Sequence, residues 1–373
     1  MSKGDGPANT PDDIAAAPPG IENRLAVEAE RQAILASISA ARPTTVTERV
    51  AWVLNNYPDT RNSDVALMLQ YWTLFTSYPG GSISPDDLFK LPRLTSLSRA
   101  RARVQNTLKL FLADPEVRKH RGTLSEEERE QAVLAKSVSA PVYAVYADES
   151  GKTQKNLLVG SLWLLQGPEA YPISRKLMAW REATKFHDEL HFTEVDERRL
   201  PIYKAAVDLV IDNASALSLK YITVPRQGAG QPAQVIPRLL YHLVARGIEH
   251  ENESGRAPLP RTLQLWKDAE EPSYDKLVLA DLSDRLKNAA AGQFAGKLIV
   301  DVVEAANSKG NDLLQVADLF VASLNRVINP PEPPPRAPGA KDLLAAHVLA
   351  RTGVSPTTEA SEAYEDLAVR ISI

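Results

Sequence analysis

Between Pro141 and Gln166 the chain reads PVYAVYADESGKTQKNLLVGSLWLLQ: an apolar strand ending on two adjacent carboxylates, a turn, and a second apolar strand. A buried-looking strand is a costly place for acids, because a charge taken out of water needs a compensating partner. Asp148 and Glu149 therefore belong either to the turn, where strand-terminal acids are common, or to a site. From this hairpin onward the pattern alternates. Strands are predicted near 142–148, 156–165, 217–224, 261–267 and 297–303, and helices near 169–186, 198–212, 232–249, 274–291 and 311–327. That grammar predicts an α/β domain over 141–328, a mixed sheet flanked by helices.

The chain before the hairpin has a different period. Residues 1–20 are rich in Pro, Gly, Asn and Asp and predict a disordered tail, since they bury too little apolar surface to offset chain entropy. From Ile21 to about 136, apolar residues recur at three- and four-residue steps, which predicts an all-α domain of short helices. The stretch TVTE at 45–48 is a capping box, Ser63 opens DVALMLQYWTLF, and Ser84 with Pro85 starts another turn. Near the other end, NPPEPPPRAPGA at 329–340 reads as a Pro-rich linker, followed by a C-terminal helical tail over 341–373.

Composition excludes several chemistries. The 373 residues include no cysteine, so disulfides, a thiolate nucleophile and a cysteine zinc site are ruled out, and a metal must sit on oxygen or imidazole. No apolar run reaches the roughly 18 to 20 residues of a membrane span, and the polar start has no signal-peptide pattern; the expectation is a cytoplasmic protein without a membrane partner. A net charge of −4 decides nothing about nucleic acid, which depends on where cations cluster.

Three acids share a logic. Asp148 and Asp268 each close an apolar strand, and Asp318 lies among Leu314, Val316, Ala317, Phe320 and Val321 on a helix. Gln315 is three residues before Asp318 and shares its face. One reading is an exposed stripe of Gln315, Asp318 and Asn325 facing water. The other is that the acids coordinate Mg²⁺ or Mn²⁺, hard ions that prefer oxygen and support phosphodiester hydrolysis. In FHDELHFTEVDE, Glu189 offers a fourth carboxylate and His191 a phosphate contact or proton carrier. His187 and His191 have the spacing of a helical zinc motif, but Asp188 stands where that motif needs Glu. Ser150 has no nucleophile elbow, and RQGAGQ at 226–231 has neither a Walker lysine nor a Rossmann spacing.

A strand ending Asp148-Glu149-Ser150-Gly151, a later Glu189-x-His191, and a helix with Gln315-x-x-Asp318 preceded by NSKGND at 307–312 resemble the family catalogued as domain of unknown function 3800. The resemblance covers 141–328 and implies a ribonuclease-H-like fold with nuclease chemistry. Asp268 falls where such a core puts a strand-end acid. One departure is the helix-rich stretch 168–213, which interrupts strands that an ordinary ribonuclease H runs consecutively. On this reading Asp148, Glu189, Asp268 and Asp318 are the metal ligands. Glu149 replaces one or orients the water, Gln315 fixes a ligand or a phosphate, and Lys309 neutralises transition-state charge.

The helical part carries its own signal. Arg93, Arg99, Arg101, Arg103 and Lys109 lie in DLFKLPRLTSLSRARARVQNTLKLFL, with Thr95 or Ser96 as the expected cap and Arg99 and Arg103 on one face. Such a helix suits a helix-turn-helix element that contacts RNA or DNA, and it is similar to small helical domains of phage and mobile-element proteins. A solvated helix face is the plain alternative. The stretch RKHRG at 118–122 adds cations to the same region. The combined expectation is a nuclease guided by a helical nucleic-acid-binding domain; the alternative is a non-catalytic regulator that binds nucleic acid.

Overall fold

The computed structural model describes residues 19–120, 140–354, 356 and 368–370, apart from positions 79, 82, 214, 215, 229 and 334. The expected disordered tail lies outside these residues up to 18, as does the end of the RKHRG stretch.

The N-terminal part consists of α1 (Pro19–Ser39), α2 (Val46–Asn56), α3 (Asp64–Phe75), the single turn α4 (Pro85–Leu88), α5 (Leu94–Ala102) and α6 (Pro115–His120). Local chemistry sets their starts. Thr45 accepts from the Glu48 amide and Glu48 reaches back, completing the capping box; Ser63 and Ser84 cap α3 and α4. The cap expected at Thr95 or Ser96 is not there: α5 begins at Leu94 with Arg93 as N-cap and no side-chain bond. Leu97 is fully buried, so packing rather than capping sets the start of this helix.

A six-stranded mixed sheet follows, in the order β5-β4-β1-β2-β3-β6. Its strands are β1 (Val142–Ser150), β2 (Asn156–Leu164), β3 (Leu217–Pro225), β4 (Arg261–Asp268), β5 (Leu298–Ala306) and the short β6 (Ala368–Arg370). β1, β2 and β3 pair antiparallel; β4 runs parallel to β1, β5 parallel to β4, and β6 parallel to β3. The helices of this part are α7 (Ala170–Thr184), α8 (Leu200–Asn213), α9 (Pro232–Glu253), α10 (Pro272–Ala291), α11 (Asp312–Ile328) and α12 (Ala340–Thr352).

Both faces of the sheet are covered, which is why its strands read as continuous apolar runs. One face carries Tyr143, Val145, Ala147, Leu263 and Leu265 against α9 and α10. The other carries Ala144, Tyr146, Leu162 and Trp266 against α11, and the same apolar cluster extends into Val50, Trp52, Leu54 and Leu67 of the N-terminal helices. Polar contacts tie the two parts together. Buried Asn55 bonds Gln264 at 2.8 Å, and Arg61 pairs with Asp301 on β5 at 2.8 Å. Past the Pro-rich stretch, α12 packs on α8 and α11 and buries Leu344 and Val348. Among the described residues no helix is long and apolar enough to cross a membrane.

Candidate functional site

Strand alternation aims Asp148 and Asp268 the same way. Each lies two residues beyond an aromatic of the α11-side core, Tyr146 and Trp266 respectively, and β1 and β4 are parallel neighbours, so both acids emerge at one sheet end. Gly160 completes the arrangement. It stands opposite Asp148 in the β1–β2 register, and a Cβ built there would lie 2.6 Å from Val321 Cγ2. The missing side chain lets α11 rest directly on β2, with Asp318 one turn before that contact.

Asp148, Asp268 and Asp318 line one cavity of about 840 Å³. Burial holds the Asp148 carboxyl well above the usual range, and the charges of Asp318, Glu149 and Asp268 push it the same way. Asp268 is raised chiefly by burial and further by Asp318, against hydrogen bonds from Ser308 and the charge of Lys267. Glu189 does not line the cavity but stands next to it: Ser308 Oγ donates to Glu189 at 2.8 Å, and the same serine bonds Asp268. His191 Nδ1 lies 3.0 Å from Asp318 Oδ2, an oxygen that also accepts from the Phe192 amide at 3.1 Å. That hydrogen bond raises the His191 pKa against its partial burial.

Gln315, expected to fix a ligand or a phosphate, is buried behind the cavity rather than in its lining. It is 2% exposed, and its Oε1 accepts from Arg181 at 2.8 Å and from the Leu190 amide at 2.9 Å, while its Nε2 donates to the Ser308 carbonyl at 2.7 Å. One side chain thus ties the loop holding Glu189 and His191 to the loop holding Ser308. Asp312, at the start of α11, receives Arg42 and Arg181 and braces the same corner. Neither Gln315 nor Asp318 belongs to a water-facing stripe.

Glu149 also lines the cavity, but its carboxylate is held on the lysine side of the strand. There it meets Lys267 at 3.0 Å and Lys152 at 3.4 Å, and Lys267 is itself fully buried and bonds the Asp268 carbonyl at 2.9 Å. Burial still raises the Glu149 carboxyl, with the two lysines working against it. Lys309 is exposed in the turn before α11 and does not line the cavity. The segment with His187 and His191 is a loop rather than a helix, so the zinc-helix arrangement is absent from it.

Several lining residues were not expected at the site. Lys155, Asn325, Arg326, Asn329, Pro330, Pro331 and Lys341 form the far wall, so the stretch read as a linker contributes to the cavity. Gly151, at φ +75°, turns the hairpin back, and a Cβ there would meet the Asn156 carbonyl at 2.2 Å. Asn329 then grips Asn156 through both backbone groups, at 2.9 and 2.8 Å.

The basic residues of the helical part are divided. Arg101 pairs with Asp64 at 2.7 Å with its side chain 12% exposed, and Arg103 pairs with Glu30 on α1; Arg93, Arg99 and Lys109 are exposed.

By donor type the cavity floor fits a hard divalent cation, since Asp148, Asp268 and Asp318 offer it carboxylate oxygens. A closed ligand shell is not preformed, since among the described residues no three acids or histidines stand together at ligand spacing. No protein-family model matches the chain, and no curated protein is detectably similar to it in sequence.

Proposed function

We propose that the chain is a metal-dependent nuclease on a ribonuclease-H-like core. The observation that carries this reading is the convergence of Asp148, Asp268 and Asp318 on one cavity, with the charge of Asp148 disfavoured by burial and then by its acidic neighbours. The sheet supports the fold assignment: three antiparallel strands followed by two parallel ones, in the order 3-2-1-4-5 before the short β6 is added. The inserted α7 and α8 lie between β2 and β3 and leave that order intact.

Asp148, Asp268 and Asp318 would hold Mg²⁺ or Mn²⁺, with Glu189 the adjacent fourth carboxylate. A bound cation of this kind supplies an activated water and stabilises the oxyanion of a phosphodiester being cut. The chain's own residues do the rest. Buried β1 and β4 fix two carboxylates rigidly, since sites on strands are more precise than sites on loops. His191, half-exposed beside Asp318, holds a proton within reach of the cavity, a position suited to a leaving oxygen. Gln315 and Asp312 position the two loops without touching substrate.

The regulator reading keeps one observation in its favour: Asp318 Oδ2 is already engaged by His191 and Phe192, as a purely structural acid would be. Purified wild type and Asp148→Asn/Asp318→Asn are incubated with labelled single- and double-stranded RNA, DNA and hybrid in Mn²⁺, Mg²⁺ or EDTA. The proposal expects metal-dependent cleavage by wild type alone. Binding without cleavage, equal in both proteins, overturns it in favour of the regulator.

A further inference from the structure

The cavity has two chemically distinct ends. Asp148 and Asp268 at strand ends and Asp318 on α11 occupy one end together with Glu149 and Glu270, whereas the far wall carries Lys155 from the β1–β2 turn, Arg326 from α11 and Lys341 from the first turn of α12, with Glu332 the one acid among them. These cations are not equivalent. Arg326 is taken by Asp342 at 2.7 Å, while the ammonium groups of Lys155 and Lys341 have no acid or hydrogen-bond partner among the described residues. Lys155 is also held in place by its surroundings: its carbonyl accepts from the Arg226 amide at 2.8 Å, and the next residue is gripped by Asn329.

An acid cluster and a pair of free lysines in one cavity suit a ligand that carries repeated anions and brings a cation to one end. A phosphodiester chain does so, with the reacting phosphate over the acids and a neighbouring phosphate at the lysines. Size narrows the choice. About 840 Å³ is the volume that encloses a ligand of drug size, which corresponds to a few nucleotides. A duplex segment of the same length carries twice the strand volume, so the match is to a single strand. Pro330 and Pro331 stiffen one wall, because their ring-locked backbone cannot swing aside as an ordinary linker does.

We propose that the cavity takes single-stranded nucleic acid and that Lys155 and Lys341 bind the phosphates flanking the reacting one. This rests on the nuclease reading for what happens at the acids, but strand binding is measurable without it. The test uses the full chain carrying Asp148→Asn/Asp318→Asn, with and without Lys155→Gln/Lys341→Gln, and fluorescent 6-nucleotide single strands or duplexes of the same sequence at several salt concentrations in EDTA. Thermal melts of each variant establish that it is folded.

The expected result is single-strand binding at least about tenfold tighter than duplex binding. Removing both lysines should flatten the dependence of log K on log salt by about 1.4, at about 0.7 per lost phosphate contact. Duplex binding as tight as single-strand binding, or a salt slope indifferent to the lysines, overturns the inference. Wild-type cleavage in Mn²⁺ is scored separately. Lysine-dependent strand binding without cleavage sinks the nuclease and leaves the strand site standing; cleavage with lysine-independent binding does the reverse.

Discussion

Replacing Gln315 by Leu separates a loop-fastening role from a substrate-binding one. The side chain is buried and makes three hydrogen bonds, accepting from Arg181 and the Leu190 amide and donating to the Ser308 carbonyl. Neutral bonds of this kind contribute about 1 kcal/mol each and one from a charged donor about 2, so their loss costs about 4 kcal/mol. Leucine recovers part of this by apolar burial, leaving a net loss of about 3 kcal/mol. In a chain of 373 residues that corresponds to a fall in Tm of roughly 4 °C. Thermal melts measure the total, and amide exchange at Leu190 reports the loop itself, which should open much more readily in Gln315→Leu. A loss below about 1 kcal/mol with unchanged protection at Leu190 would refute the fastening role and return Gln315 to direct contact with substrate.

Three further outcomes follow from the same geometry. Because the Asp148 pKa is raised, the folded protein keeps a proton that the unfolded chain has released; Asp148 costs nothing below about pH 4 and destabilises increasingly as pH rises toward its folded pKa. Metal-free Asp148→Asn should therefore melt above wild type at pH 8 and level with it near pH 3.5; a gap that does not change with pH counts against the buried repulsion. The pairing of His191 with Asp318 is fully present below about pH 6.5 and is lost as pH rises through the raised folded pKa, so Asp318→Asn should lower the His191 pKa read by NMR. An unmoved titration would remove that contact from the account. Gly160→Val forces a side chain into Val321 and should cost about 1–3 kcal/mol of stability by thermal melt, while a neutral substitution would mean that α11 does not rest on β2 as described.

Much of the architecture was legible because local signals and burial agree. The apolar runs at 142–148 and 261–267 became β1 and β4 within a few residues, since strands covered on both faces need unbroken apolar sequence. Asp148, Asp268 and Asp318 stood out for the same reason, as charges set against an apolar background. What the sequence hid is contact at long range. Nothing near Arg101 announces that Asp64, 37 positions earlier, will claim it, so a basic helix face read from spacing alone overstates the free charge. Gln315 looked like a ligand-side residue because helical spacing pairs it with Asp318, yet spacing does not show that two loops will close over it. The prolines after Asn329 signal a chain that cannot continue a helix; that they wall the cavity depends on α12 folding back onto α11.

The central claim is that Asp148, Asp268 and Asp318 form one cation site, and Mn²⁺ titration followed by EPR of the free ion tests it most directly. Wild type should bind Mn²⁺ and gain thermal stability with it, and Asp148→Asn and Asp268→Asn should each weaken binding by at least about tenfold. Equal Mn²⁺ binding by wild type and both variants, or none by any of them, would contradict the account.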